Sequence, residues 1–188
     1  RFIATIVRGG AACGGEAVFH LADPADMPPV ETEVVLWGTD PDLEAWLAAR
    51  SVPSRRFAGG PMTSREVILA SREPPPGGAA AFADLARRIA RGSVAIFLEP
   101  GLFRRGQDPV GWAPFVRKGT VRSIGNSLYH KDEWAREHPL LDGLPAGGFM
   151  DWVYYRDIIP DPVWVGLDPP AEAVAGANNV AFDYGSGL

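Results

Sequence analysis

The stretch "AAAFADLARRIARGSVAIFLEP" (Ala79–Pro100) carries the fold. Its first part sets Phe82, Leu85, Ala86 and Ile89 at i, i+3, i+4 and i+7, one apolar helix face, and Gly92 closes the helix. Its second part, "SVAIFLEP" (Ser93–Pro100), is apolar through five consecutive positions. That pattern predicts a strand covered on both faces. The same alternation runs upstream. "TEVVLWG" (Thr32–Gly38) reads as a β-branched strand ending at glycine, and "REVILAS" (Arg65–Ser71) as another buried strand. Between them "TDPDLEAWLAARS" (Thr39–Ser51) reads as a helix with Thr39 or Asp40 as N-cap, Pro41 in the first turn, and Leu43, Trp46 and Leu47 on one face.

Strand, helix, strand, helix, strand implies an α/β domain, a parallel sheet flanked by helices. Right-handed crossovers then bring the strand C-terminal ends, with Gly38, Ser71 and Glu99, to one rim, where an active site would sit. After Pro100 the chain is loop-rich up to "TVRSIGNS" (Thr120–Ser127), a further strand. "KDEWAREHPLLDGLP" (Lys131–Pro145) reads as a short helix broken by Pro139. The tail segments "DWVYYRDII", "VWVGLD", "EAVAGAN" and "VAFDYGSGL" are β-rich and are expected as antiparallel, hairpin-like strands at the edge of the parallel core.

Residues 1–31 differ from the rest. Two short β-type runs, "RFIATIV" and "EAVFHL", flank a glycine-rich connection, and an acidic, proline-rich tether follows from Ala22 to Glu31. This is expected as the last hairpin of an upstream β domain plus a linker, with the α/β domain covering residues 32–188. The chain opens on Arg1 and stops in a strand-like run, so it reads as a piece of a longer protein.

With 188 residues and a net charge of −5, neither nucleic acid nor an anionic membrane is favoured as partner. No apolar run approaches the ~20 residues of a membrane span, and no signal peptide is visible. The single cysteine, Cys13, excludes an internal disulfide and a cysteine metal cluster, and leaves the compartment open.

The turn after the central strand, "FLEPGLF" (Phe97–Phe103), holds no Ser or Cys, so no nucleophile elbow is present there. His20, His130 and His138 show no metal-binding spacing. An imidazole such as His138 titrates near neutrality and could act as a base; the competing role is to cap the last carbonyls of its helix. The catalytic candidates are therefore Glu99, His130 and His138. Asp142, Asp151, Asp157 and Asp183 are further carboxylates for a sugar site, although Asp142-Gly143 is also a turn dipeptide. Trp112, Trp134, Trp152 and Tyr154 are the candidates for carbohydrate contact. Neither phosphate-binding glycine motif occurs, and no cofactor and no metal are expected.

The order "EVVLWG…EVILAS…FADLARRIARGSVAIFLEP" resembles the class I glutamine-amidotransferase-like, flavodoxin-type fold, in the version found as an accessory domain of large bacterial glycoside hydrolases, including family 2-type, β-galactosidase-like proteins. "EHPLLDGLPAGGFMDWVYY" (Glu137–Tyr155) is similar to the His-Pro-x-hydrophobic-x-Gly-hydrophobic-Pro … Trp pattern of such domains, and "FDYGSGL" (Phe182–Leu188) resembles the strand before their closing segment. The resemblance covers Thr32 to Leu188. It implies a non-catalytic domain without a Cys-His-Glu triad, whose partners are other domains of the same chain and, through the parent enzyme, a carbohydrate. The hydrolytic carboxylates would lie in a barrel elsewhere, and a secreted or periplasmic parent is compatible with this. The alternative is a free-standing small hydrolase of the amidotransferase-like or trehalose-utilisation-like class. It would act from the rim with Glu99 and His130 or His138 within about 3 Å of each other. In either case His-Pro and the glycines Gly147 and Gly148 are read as a corner that stops a helix and re-aims the chain.

Overall fold

The computed structural model describes residues 23, 25, 28–60, 64–123, 131–144, 146–149, 162–166, 172–179 and 183–186. The expected upstream hairpin, with Cys13 and His20, lies outside these residues. Four short strands, β1 (Val34–Trp37), β2 (Ser54–Arg56), β3 (Val67–Ala70) and β4 (Val94–Phe97), form a parallel sheet in the order β2-β1-β3-β4. Helix α1 (Pro41–Ala49) follows β1, and α2 (Ala79–Ala90) joins β3 to β4. The α/β organisation expected from the alternation is therefore present.

Side chains alternate across this sheet, as the period of a strand requires. Val35, Trp37, Ile68 and Ala70 pack with Leu85 of α2 and with Leu102, while Val34 and Leu36 pack on the other face with Leu47 of α1 and Val52. Helix α1 begins where the sequence puts it: Pro41 opens it, and the Asp40 carboxylate accepts the Leu43 N–H at 3.0 Å. Helix α2 has Gly78 at its cap with no side-chain acceptor. Burial of its apolar stripe therefore supports it more than capping does.

No helix is described between β2 and β3; the chain leaves β2 through Phe57–Gly60. Arg88, buried on the last turn of α2, holds this passage by donating to the Ala58 carbonyl at 2.7 Å while its guanidinium lies 4.8 Å from the Phe57 ring centre. It also donates to Glu66, whose side chain is only 7% exposed and also accepts from Arg55. A buried carboxylate is tolerated here because two guanidinium groups replace its water.

Three expectations are corrected. First, β4 is covered on one face only: Val94, Ile96 and Leu98 are exposed, whereas Ala95 and Phe97 pack under α2. Helix α1 lies over β1 and β3 and does not reach it. Second, Trp46 is exposed, not turned into the core with Leu43 and Leu47, and carries the Arg50 guanidinium over its ring at 4.3 Å. Third, Lys131–Ala135 is a strand, not a helix. It pairs with Ala175–Asn179 along its whole length, and this tertiary pairing overrides the helical preference of Lys, Glu and Ala.

That strand, β6 (Lys131–Ala135), belongs to a second sheet with β5 (Thr120–Ser123), β7 (Gly148–Phe149), β8 (Pro162–Val165), β9 (Ala175–Asn179) and β10 (Asp183–Ser186). The order is β5-β8-β10-β9-β6-β7, with every pair antiparallel. The described tail strands form a sheet of their own and do not extend the parallel one, and the expected strand "DWVYYRDII" lies outside the described residues. The two sheets meet through Phe103, Val110 and Ala113, which pack against Phe82 and Phe97 on one side and Val121 and Trp164 on the other.

Candidate functional site

The strand ends of the parallel sheet converge as expected, but the rim they form is closed. The Thr39 N–H donates to the Glu73 carbonyl at 2.9 Å, an isolated antiparallel bridge between the segments leaving β1 and β3. This contact depends on glycine at 38, where φ is +107° and a Cβ would lie 2.3 Å from the Glu73 oxygen. Ser71, whose Oγ would lie 3.0 Å from a Cβ at position 38, is 1% exposed, and its Oγ lies 3.4 Å from the Trp37 carbonyl. It is a packed residue with no room for a substrate.

Glu99 sits at the end of β4 and accepts from Arg72 Nε at 3.0 Å, with both side chains well exposed. The hydrogen bond that Arg72 donates to Glu99, and then the Glu99 charge, raise the Arg72 pKa above its ordinary value. Such an exposed pair has little energetic weight. His138 belongs to the other sheet's connections. It adopts an extended backbone before Pro139, and its Nδ1 accepts the Leu140 N–H at 3.2 Å, capping a 3-10 turn, Pro139–Leu141. It does not cap the end of a helix, since the residues before it form β6. Its Nε2 lies 3.9 Å from Glu172, which also accepts from Arg136 at 3.3 Å. The partners of Glu99 and of His138 are thus different residues, and the two do not form a dyad. His130 lies outside the described residues.

The aromatic candidates are similarly dispersed. Trp112 is half-buried: Phe82 stacks on it at 5.3 Å and 7°, and the Arg105 guanidinium lies over its ring at 4.6 Å. Trp134 is half-buried in β6, opposite Phe149. Trp152, Tyr154, Asp151 and Asp157 lie outside the described residues. Trp46, expected to face inward, is instead the exposed indole among the described residues; its i, i+4 spacing to Arg50 was the signal available for it.

An open cavity of about 190 Å³ lies between α2 and the loop that follows Phe103. Phe82, Ala83, Ile89, Phe97, Trp112 and Pro114 line it, and its wall is almost wholly apolar. Among the described residues, none of those lining it is titratable. Among the described residues no cluster of His, Cys, Asp or Glu could hold a metal ion, and no helix is long and apolar enough to cross a membrane. No family model, curated protein or solved structure matches the chain.

Proposed function

We propose that this chain is a non-catalytic, amidotransferase-like accessory domain of a carbohydrate-active glycoside hydrolase, shaping a substrate cleft or an interface between domains or subunits. The observation that carries the non-catalytic part is the closed rim. In open α/β sheets ligands enter where adjacent connections diverge at the strand C-terminal ends. Here the bridge from Thr39 to Glu73 occupies that position, and Glu99 is held by Arg72.

The order β2-β1-β3-β4 agrees with four strands of the flavodoxin-like order 2-1-3-4-5, which supports the flavodoxin-type reading. The link to glycoside hydrolases rests on the segment "EHPLLDGLPAGGFMDWVYY" and its resemblance to the corner such accessory domains carry. The test is to read the coding DNA on both sides of this segment. A barrel domain with two carboxylates in the same reading frame is the expected result. A start codon directly before Arg1 and a stop soon after Leu188 would overturn the reading, and Glu99, His130 and His138 would become the residues to mutate.

A further inference from the structure

The corner after β6 starts on a cap that can gain a proton. Ser, Thr, Asn and Asp usually accept at such positions, and none of them changes charge near neutrality. Here the acceptor is an imidazole: His138 Nδ1 takes the Leu140 N–H at 3.2 Å. A ring nitrogen that accepts carries no proton, so the neutral ring holds its proton on Nε2. Nε2 faces the Glu172 carboxylate at 3.9 Å, too far for a hydrogen bond. The pairing of β6 with β9 brings Glu172 there. The Arg136 N–H donates to the Val174 carbonyl at 2.9 Å, and Arg136 Nη1 donates to Glu172 and to the Ala173 carbonyl, each at 3.3 Å.

Four charged side chains stand about this ring among the described residues. Glu172 and Arg136 flank it from the ends of β9 and β6, Glu137 lies against Gly147, and Asp142 closes the turn. Glu172 is the carboxylate that Nε2 faces. A proton taken from solvent goes to Nδ1, the free nitrogen. The acceptor then becomes a donor pointing at the Leu140 N–H, and the cap bond is lost. The same charge draws the ring toward Glu172, which Arg136 alone holds at neutral pH.

We propose that His138 is a proton-operated latch: neutral, it caps the Pro139–Leu141 turn; protonated, it exchanges Leu140 for Glu172 and releases the tip of the corner. The release is local. The base of the corner is tied by the Gly147 N–H to the Ala135 carbonyl at 2.9 Å, a bond that does not involve His138. The tip carries Leu140, 76% exposed, and Leu141, which packs against the cluster of Ala135, Val163, Ala175 and Ala177. Loss of the cap therefore loosens the seat of Leu141 while β6 and β9 stay paired. The latch does not depend on the accessory-domain reading.

The test is NMR on the full chain, titrated from about pH 8 to about pH 5, the range over which an imidazole changes charge. Long-range nitrogen correlation spectra should show His138 with an unprotonated Nδ1 at the high end and both nitrogens protonated at the low end. Amide exchange of Leu140, relative to the intrinsic rate at each pH, should rise roughly fivefold in acid, with the amides of β6 and β9 unchanged. His138→Asn keeps an accepting cap that does not titrate, and should hold Leu140 protected across the range. Glu172→Gln removes the competing charge, and the release should move to lower pH. A proton on Nδ1 at the high end would overturn the proposal. So would Leu140 protection that is independent of pH in the wild type, or a release that persists in His138→Asn or is unmoved in Glu172→Gln. Exchange that rises together throughout β6 and β9 would also overturn it, since the whole sheet would then be opening.

Discussion

Glu66 shows how one side chain can depend on tertiary neighbours that its local sequence does not reveal. Burial pushes its carboxyl upward, but hydrogen bonds and charge from Arg55 and Arg88 outweigh that, and the net pKa lies below the ordinary 4.5. A folded pKa below the unfolded one means that the stabilisation is complete above the unfolded value and is lost as pH falls through the folded value. Glu66→Ala should therefore cost about 3 kcal/mol near neutrality, because it leaves Arg88 buried without its carboxylate. The gap between wild type and variant should hold above about pH 5 and shrink in more acid solution. Urea melts across that range check both statements; a gap independent of pH would contradict them. Gly38 is a second residue of this kind. Gly38→Ala forces a Cβ against the Glu73 carbonyl at a positive φ, and a loss of about 1–3 kcal/mol in a thermal melt is expected. The glycine was visible in the sequence as a strand end, but the Thr39–Glu73 bridge that makes it necessary joins segments far apart in the chain.

Among the elements, β4 separates what composition shows from what packing determines. Its five apolar positions mark a strand, yet a strand with two covered faces and an edge strand with one covered face have the same composition. The difference lies in the reach of α1, which packs Leu43 and Leu47 over β1 and β3 and leaves Val94, Ile96 and Leu98 in solvent. At the opposite edge, β2 is exposed at all three positions, and Arg55 and Arg56 form ion pairs there, a charged edge that discourages pairing with another chain. Adjacent substitutions in β4 should therefore behave oppositely. Ile96→Lys is expected to change stability by no more than about 0.5 kcal/mol and to reduce aggregation. Phe97→Ala, which removes a ring packed 4.7 Å from Phe103, should cost about 3 kcal/mol. Chemical denaturation with light scattering measures both; a large loss for Ile96→Lys would show that this face is covered. Strand β6 makes the complementary point. "KDEWA" has helix-forming residues and no β-branched one, and only its five-residue pairing with β9 makes it extended.

In the whole molecule, the junction between the sheets is built from single residues scattered through the chain: Phe97, Phe103, Val110, Ala113, Val121 and Trp164. The Phe103 ring meets Trp164 edge-on at 5.1 Å, the contact between the two halves most open to direct measurement. A double-mutant cycle of Phe103→Ala and Trp164→Ala should show a coupling of about 0.5–1.5 kcal/mol. Strictly additive losses in the same unfolding experiment would mean that the sheets are energetically independent. Much of the parallel half was legible beforehand because its signals are local: β-branched runs for β1 and β3, the Asp40-Pro41 start of α1, and the i, i+3, i+4, i+7 stripe of α2. The candidate site was less so. Glu99 was correctly set on the rim, but its pairing with Arg72, the separate company of His138 and the stacking of Phe82 on Trp112 all join residues distant in sequence. By itself, the sequence determined the alternation of elements and the net negative charge, since both follow from neighbouring residues and composition. Tertiary structure alone decided which strand faces are covered, that the rim is closed, that Lys131–Ala135 is extended, and that an apolar recess opens beside α2. Each of these depends on which distant segments exclude water from which surfaces.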